Sequence, residues 1–358
     1  MAIRVLIVDD SPTMRALLRL MLERESDLEI VGAAANAVEA RGMIRELNPD
    51  VVTLDIEMPG MNGLEFLEKI MRLRPMPVII VSSLTREGTS TTVRALELGA
   101  VNCYAKPSGV AGDLVSADQG RLANLIREAA QVKVRGLDSV AGSAPAPAAG
   151  QTALVQASMA LSSARTSGSD AIIAIGASTG GVEALGNLLR RFPVDCPPTV
   201  IVQHINGQFA PAMAARLDSL CAPKVVLADS DIPIQRGHVY IAPGNDRHLT
   251  VRGTPGRLYC RLRPGDLISG HRPSIDAMFL SAAEAMQGKA VGILLTGMGQ
   301  DGAKGLLAMR QKGCRTIAQD QASCVVYGMP RAAVEIGAAD YVVSLSHIAD
   351  KALELVAA

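Results

Sequence analysis

The sequence predicts two α/β domains, each built on a parallel sheet, joined by a connector with no core of its own. Three observations predict this. A chain of 358 residues exceeds what one ordinary core supports, at roughly 150 residues per domain. Short β-branched runs alternate with helical periodicity on both sides of the middle of the chain, the pattern of strands joined by crossover helices. Between them, from about Gln131, the composition turns to Ala, Ser, Gly and Pro, as in Ala144-Pro145-Ala146-Pro147-Ala148-Ala149-Gly150. Such a stretch cannot bury enough surface to offset its ordering entropy. The domains are read as residues 1–125 and 169–358, with a flexible linker over 126–168 that holds a short helical piece around Thr152–Arg165.

In the first domain the strands read as Ile3–Val8, Glu29–Ala34, Val51–Leu54, Val78–Val81 and Val101–Tyr104. After the first, Ser11 can cap a helix and Pro12 can occupy its first position. Met14, Leu17, Leu18, Met21 and Leu22 then recur at helical spacing on one face. In the second domain Ala171–Ile175, Thr199–Val202, Lys224–Ala228, Ala290–Leu295, Arg315–Ala318 and Tyr341–Val343 read as buried strands, several followed by helical patterns. Arg247, Arg252, Arg257, Arg261 and Arg263 run through a hairpin region, most simply as a solvated strand face, with a local acidic docking site as the other reading.

Composition narrows the function classes. Hydrophobic residues are 49% of the chain and charged ones 20%, which excludes wholesale disorder. Aromatics are 3% with no Trp, so stacking platforms for single strands or glycans are disfavoured. The formal charge is zero, with net −2 up to residue 168 and +2 beyond, so neither half carries the basic excess of a nucleic-acid or anionic-membrane binder. No nucleic-acid partner and no membrane insertion are expected. The six cysteines form no C-x-x-C pair and read as buried free thiols. With no signal peptide and no apolar run of about 20 residues, a cytoplasmic location is expected.

Asp9 and Asp10 end the first strand and Asp55 the third, and in an open parallel sheet those ends face the ligand crevice. Three converging carboxylates raise one another's pKa and call for a cation, and an all-oxygen site suits Mg²⁺. Lys106 after the fifth strand would place an ammonium at the same edge, and Ser82 closes the fourth with a hydroxyl. Helix capping would account for any one of these residues, but not readily for five polar residues at four strand ends.

The segments Asp9-Asp10-Ser11, Leu54-Asp55-Ile56-Glu57-Met58-Pro59-Gly60-Met61-Asn62-Gly63, Val81-Ser82-Ser83 and Ala105-Lys106-Pro107 resemble the receiver domain of response regulators. That resemblance implies a flavodoxin-like (βα)5 fold in which Asp55 accepts a phosphoryl group from a histidine kinase. It also implies that Asp10, Asp55 and the main-chain carbonyl of Glu57 hold Mg²⁺ with help from Asp9, and that Ser82 and Lys106 sense the phosphoryl oxygens. Cys103 stands where the family usually has Tyr or Phe as an aromatic switch, and Tyr104 is its neighbour.

In the second domain Ala171–Ile175 runs into Gly176-Ala177-Ser178-Thr179-Gly180-Gly181 and then a helical pattern, which fits a nucleophile elbow as well as a phosphate cradle or plain cap. His204 closes the next strand, so it too lies at a carboxyl end, where it is a candidate general base for Ser178. His271, Ser274 and Asp276 form a local set, but a relay within six residues is disfavoured. Gly297-x-Gly299-x-x-Gly302 satisfies a dinucleotide fingerprint, with Asp320 spaced as a ribose-binding acid. Against it, Asp301 would put a carboxylate where the pyrophosphate belongs, whereas as a triad acid it is well placed to hold an imidazole.

The segments Gly176–Gly181, Val202-Gln203-His204, Tyr240-Ile241-Ala242-Pro243-Gly244, Arg272-Pro273-Ser274-Ile275-Asp276 and Thr296–Gly302 resemble those of the chemotaxis protein-glutamate methylesterases. With the receiver, the resemblance covers nearly the whole chain. It implies a doubly wound parallel-sheet esterase domain with a hairpin region, which hydrolyses γ-glutamyl methyl esters on the cytoplasmic helices of methylated chemoreceptors and often deamidates receptor glutamines. Ser178 would be the nucleophile, His204 the base and Asp301 the orienting carboxylate, with the amides of Thr179 or Met298 as oxyanion donors and no cofactor for the esterase step. The rival reading is a non-catalytic, phosphorylation-dependent regulator that binds a nucleotide through Gly297–Gly302.

Overall fold

The apolar runs of the first half form parallel strands β1 (Ile3–Val8), β2 (Leu28–Ala34), β3 (Val51–Asp55), β4 (Val78–Ser82) and β5 (Asn102–Ala105), in the order β2-β1-β3-β4-β5. β3 and β4 are buried along their whole length, which is why they read as unbroken hydrophobic runs. In this computed structural model the described residues are 2–58, 62–107, 118, 120–132, 134 and 171–357. The linker expected over 126–168, with its Thr152–Arg165 helix, falls almost wholly outside them.

Helices α1 (Pro12–Leu22), α2 (Ala37–Leu47), α3 (Gly63–Leu73), α4 (Arg86–Glu97) and α5 (Arg121–Ala130) accompany these strands. α1 starts as its sequence dictates: Met14 N donates to Ser11 Oγ at 3.3 Å, Pro12 follows the cap, and Leu17, Leu18, Met21 and Leu22 are buried. α5 runs to Ala130, past the boundary at residue 125 read from the sequence. Ile126 and Ala129 continue the buried stripe that Leu122 and Ala123 begin, so burial carries the helix into the expected linker.

The second half builds seven parallel strands: β6 (Ile172–Ala177), β7 (Thr199–Gln203), β8 (Lys224–Leu227), β9 (His238–Ile241), β12 (Ala290–Leu294), β13 (Arg315–Gln319) and β14 (Tyr341–Val343). Their order is β14-β13-β12-β6-β7-β9-β8. The chain leaves β6 toward one edge and returns on its other side as β12, so the crevice opens where β12, β6 and β7 end. β9 was not among the expected strands. Its four residues are too few to show a period, and pairing with β7 on one side and β8 on the other defines it. The hairpin expected around the arginines is β10 (Arg247–Thr254) and β11 (Arg257–Pro264), a separate antiparallel pair. Helices α6 (Gly181–Leu189), α7 (Ala210–Leu220), α8 (Ile275–Met286), α9 (Ala303–Gln311), α10 (Met329–Glu335) and α11 (Leu345–Ala357) complete the domain.

The domains are in contact. α4 of the first packs against α6 and α7 of the second. Glu97 at the end of α4 takes a two-pronged ion pair from Arg216 of α7, with Nε 2.9 Å from Oε1 and Nη2 3.0 Å from Oε2. Val325 and Val326 of the second domain pack onto the apolar cluster that contains Leu122 and Ile126.

Candidate active site and acidic pocket

In the first domain β1 and β3 are neighbours, so their carboxyl ends bring Asp9, Asp10 and Asp55 together. One carboxylate oxygen from each lies within 4.8 Å of the others, the one such group among the described residues. Asp9 and Asp55 are fully buried. Lys106 Nζ donates to Asp55 Oδ2 at 2.6 Å and lies 3.0 Å from Asp9 Oδ2, an ion-pair distance without hydrogen-bond alignment. Burial pushes the Asp9 carboxyl above its ordinary range against the pull of Lys106. One ammonium facing three carboxylates leaves negative charge in excess, and buried Asp9 Oδ2 has no hydrogen-bond donor, so these residues fit Mg²⁺.

Ser82 is buried at the end of β4 and donates from Oγ to Gly88 O of α4 at 3.3 Å. Cys103 faces the cluster on the α3 and α4 side, where burial raises its thiol pKa to about 12. Neighbouring strand residues point to opposite faces. Tyr104 accordingly joins the α1 and α5 side and donates its hydroxyl to Asp118 Oδ1 at 2.7 Å. Tyr104 therefore does not replace the aromatic residue missing at Cys103.

In the second domain Ser178, His204 and Asp301 follow the adjacent strands β6, β7 and β12. The turn at Ser178 is held by Ser178 N donating to Thr296 O at 3.0 Å and Gly181 N donating to Ser178 O at 2.8 Å. Gly180 sits at φ +76°, a left-handed conformation that glycine adopts without strain and that lets α6 begin. His204 Nε2 and Asp301 Oδ2 are 2.9 Å apart.

Asp301 is saturated. Ser274 Oγ and Asp276 N donate to Oδ1 at 2.8 and 3.1 Å, and Ile275 N donates to Oδ2 at 2.8 Å beside His204. Burial would raise its pKa, but the His204 bond and charge and the two amides outweigh it and hold the carboxyl below its ordinary range. An ionised carboxylate only accepts, so His204 Nε2 carries the proton and Nδ1 keeps a bare lone pair. Nδ1 is buried and has no hydrogen-bond partner. The amides of Thr179 and Met298 donate no hydrogen bond among the described residues and flank Ser178 and Gly297. A Cβ at Gly297 would lie 2.6 Å from Ser178 Cβ, so that glycine leaves the space in which the serine sits.

The set His271, Ser274 and Asp276, disfavoured as a relay, surrounds the triad instead. His271 stacks on His204 with ring centroids 3.8 Å apart and an interplanar angle of 9°. Burial, with the charge of His204, lowers the His271 pKa to about 4, so its ring is neutral near neutral pH. Asp276 accepts from Gly305 N at 2.6 Å, and burial raises its carboxyl. Gln203 was also missed: its Nε2 donates to Ser178 O at 2.8 Å and to His204 O at 3.0 Å, tying the two turns together. Its position just before His204 was the available signal.

The fingerprint loop Gly297–Gly302 carries no open phosphate cradle. Asp301 stands within the loop, and its carboxylate bonds to the start of α8. The cavity over Ser178 and His204 is about 10 Å³, and its lining includes Leu96, Ala100, Val101 and Asn102 of the first domain. That is room for about one water.

An acidic pocket on one doubly wound sheet and a Ser-His-Asp constellation on another define a two-domain protein of the hydrolase class with a receiver-like module. The second domain matches the CheB methylesterase family over residues 173–352, and the first matches the response regulator receiver domain over residues 5–117. A protein-glutamate methylesterase/protein-glutamine glutaminase of Caulobacter vibrioides is 53% identical over 99% of this chain and 98% of its own length. One of the same name from Agrobacterium fabrum is 49% identical over 99% and 97%. The CheB methylesterase catalytic domain of Thermotoga maritima superposes with a TM-score of 0.50 at 39% identity, covering 52% of this chain and 98% of that one. The chain belongs to the CheB protein-glutamate methylesterase family. Its receiver domain makes it a phosphorylation-regulated member, and receiver phosphorylation is typically Mg²⁺-dependent. No helix among the described residues is long and apolar enough to cross a membrane.

Proposed function

We propose that this protein removes methyl esters from glutamate side chains of chemoreceptors through Ser178, His204 and Asp301. The carrying observation is His204 bonded through Nε2 to a saturated, buried Asp301 while its buried Nδ1 has no hydrogen-bond partner. His204 Nδ1 takes the Ser178 hydroxyl proton as Oγ bonds to the ester carbonyl carbon. The oxyanion is met by the amides of Thr179 and Met298. Collapse breaks the carbon–oxygen bond to the methoxy group, and the imidazolium gives its proton to the departing methoxide, which leaves as methanol. Water then attacks the acyl-serine with His204 as base and frees the glutamate carboxylate. A glutamine side chain would follow the same path with ammonia as leaving group, in keeping with the second activity in the relatives' names.

Asp55 is the proposed phosphoryl acceptor, with a chemotaxis histidine kinase as donor. Mg²⁺ held by Asp9, Asp10, Asp55 and the main-chain carbonyl of Glu57 would neutralise the transferring phosphoryl group. Ser82 and Lys106 would bind its oxygens. Drawing Ser82 toward that group breaks its bond to Gly88 O near the start of α4, and the other end of α4 carries Leu96 and Glu97 against the catalytic domain. The contact is thereby biased toward opening. We assign residues 1–130 to the regulatory domain and 169–358 to catalysis, in a cytoplasmic protein.

The test is methanol release from methylated receptor membranes by the protein and its Ser178→Ala variant, with and without a small acyl phosphate and Mg²⁺. Stimulation of the parent and loss in the variant are expected. No methanol from folded, phosphorylated parent would overturn the assignment.

A further inference from the structure

The arginines of the hairpin take no part in the mechanism above. In the antiparallel register Thr250 pairs with Arg261, Arg252 with Tyr259 and His248 with Arg263. Cross-strand partners point to the same side, so one face of the hairpin carries Arg252, Arg257, Arg261 and Arg263. All four arginines are exposed. The opposite face is apolar and buried, with Leu249, Val251, Leu258 and Cys260 in the core. Charge is little compensated. Arg261 lies 3.5 Å from exposed Asp231, and Glu284 of α8 lines the same shallow groove as Arg252 and Arg263. Arg252, Arg257 and Arg263 form no ion pair among the described residues.

This face adjoins the reaction centre. His248, buried beside Arg263, accepts from Ser274 N at 3.1 Å on Nδ1, and its Nε2 is 2.8 Å from Asp266 O. Ser274 Oγ in turn donates to Asp301. The loop from Pro264 to Ser274 that joins hairpin to triad also carries exposed Arg272 and the His271 that stacks on His204. These bonds tie the hairpin through Ser274 to the triad carboxylate.

We propose that the arginine face of β10 and β11 is the substrate-docking surface, and that it recognises a carboxylate-rich helical surface on the protein bearing the glutamyl ester. This rests on the esterase reading above and names what sets its substrate preference. Each turnover converts an ester into a glutamate carboxylate, so the substrate surface is acidic wherever sites are unmethylated, and exposed guanidinium groups are its electrostatic complement. Peripheral charge of this kind acts on encounter and is screened by salt.

The experiment uses the full-length protein, activated with a small acyl phosphate and Mg²⁺, on methylated receptor membranes. Parent, Arg252→Glu/Arg263→Glu and Arg252→Ala/Arg263→Ala are compared for kcat and KM at low and high salt, with near-UV circular dichroism as the check on folding. The expected result is a KM raised about tenfold in the Glu pair and less in the Ala pair, with kcat retained and the salt dependence of the parent flattened. Unchanged KM and salt dependence in folded variants would overturn docking while leaving the esterase reading intact. A fall in kcat at unchanged KM would overturn it in favour of a structural role. An inactive parent would instead remove the esterase reading on which it rests.

Discussion

The two sites occupy equivalent places on two similar sheets, yet they handle a carboxylate in opposite ways. In the receiver, Asp9 and Asp55 share one ammonium, Lys106, beside Asp10, and the cluster retains surplus negative charge that invites a cation. In the esterase, a single Asp301 is surrounded by donors from Ser274, Ile275, Asp276 and His204 and has no capacity left for a metal. A switch point supplies a crevice, and the donors around its carboxylates set the chemistry. An undersaturated cluster of carboxylates suits a cation, whereas a saturated carboxylate fixes a tautomer.

The largest break in this contrast comes from the saturated side. Asp301→Asn would reverse the donor pattern at His204 Nε2 and leave Nδ1 protonated, and Ser178→Ala removes the nucleophile. Either should cut methanol release by about 10³-fold to 10⁴-fold in kcat, read on the activated protein. On the undersaturated side, Asp55→Asn should abolish stimulation by phosphodonor and Mg²⁺, read as the ratio of rates with and without the donor. Gly297→Ala tests the space between the strands: its Cβ would meet Ser178 Cβ at 2.6 Å, and a displaced nucleophile should cost roughly 10²-fold in kcat.

Two smaller effects sharpen the contrast. Glu97→Gln removes the ion pair to Arg216, whose side chain is 42% exposed, so the closed contact should weaken by less than about 1 kcal/mol. Unphosphorylated methanol release should then rise by no more than about fivefold. The pH dependence should carry a signature of Asp301. Its folded pKa lies below the ordinary 3.8 of an aspartate, so the stability it contributes is present above that value and is lost as pH falls through the folded pKa. Thermal melts should show Asp301→Asn less sensitive than the parent across that acid window. His271, with a pKa of about 4, should add no inflection to kcat near neutral pH.

Much of this was legible from residue order. Strand ends could be read because parallel strands buried on both faces are continuous apolar runs that stop where polar residues begin, as at Asp9, Asp55, Ser178 and His204. β9 was not legible, since its four residues gain identity only from neighbours on both sides. The surroundings of the triad were not legible either. Ser274 and His271 looked like a poor local relay, and only the approach of α8 to the end of β12 turns them into supports for Asp301 and His204.

The sequence by itself determined the two parallel-sheet domains, the polar residues at their strand ends and the glycines that make the turns, because periodicity and turn chemistry are local properties. Tertiary structure decided which strands lie side by side, which imidazole nitrogen bonds Asp301 and which domain covers the serine. Those outcomes depend on contacts between residues as far apart as Glu97 and Arg216, and no local pattern in the chain encodes such a distance.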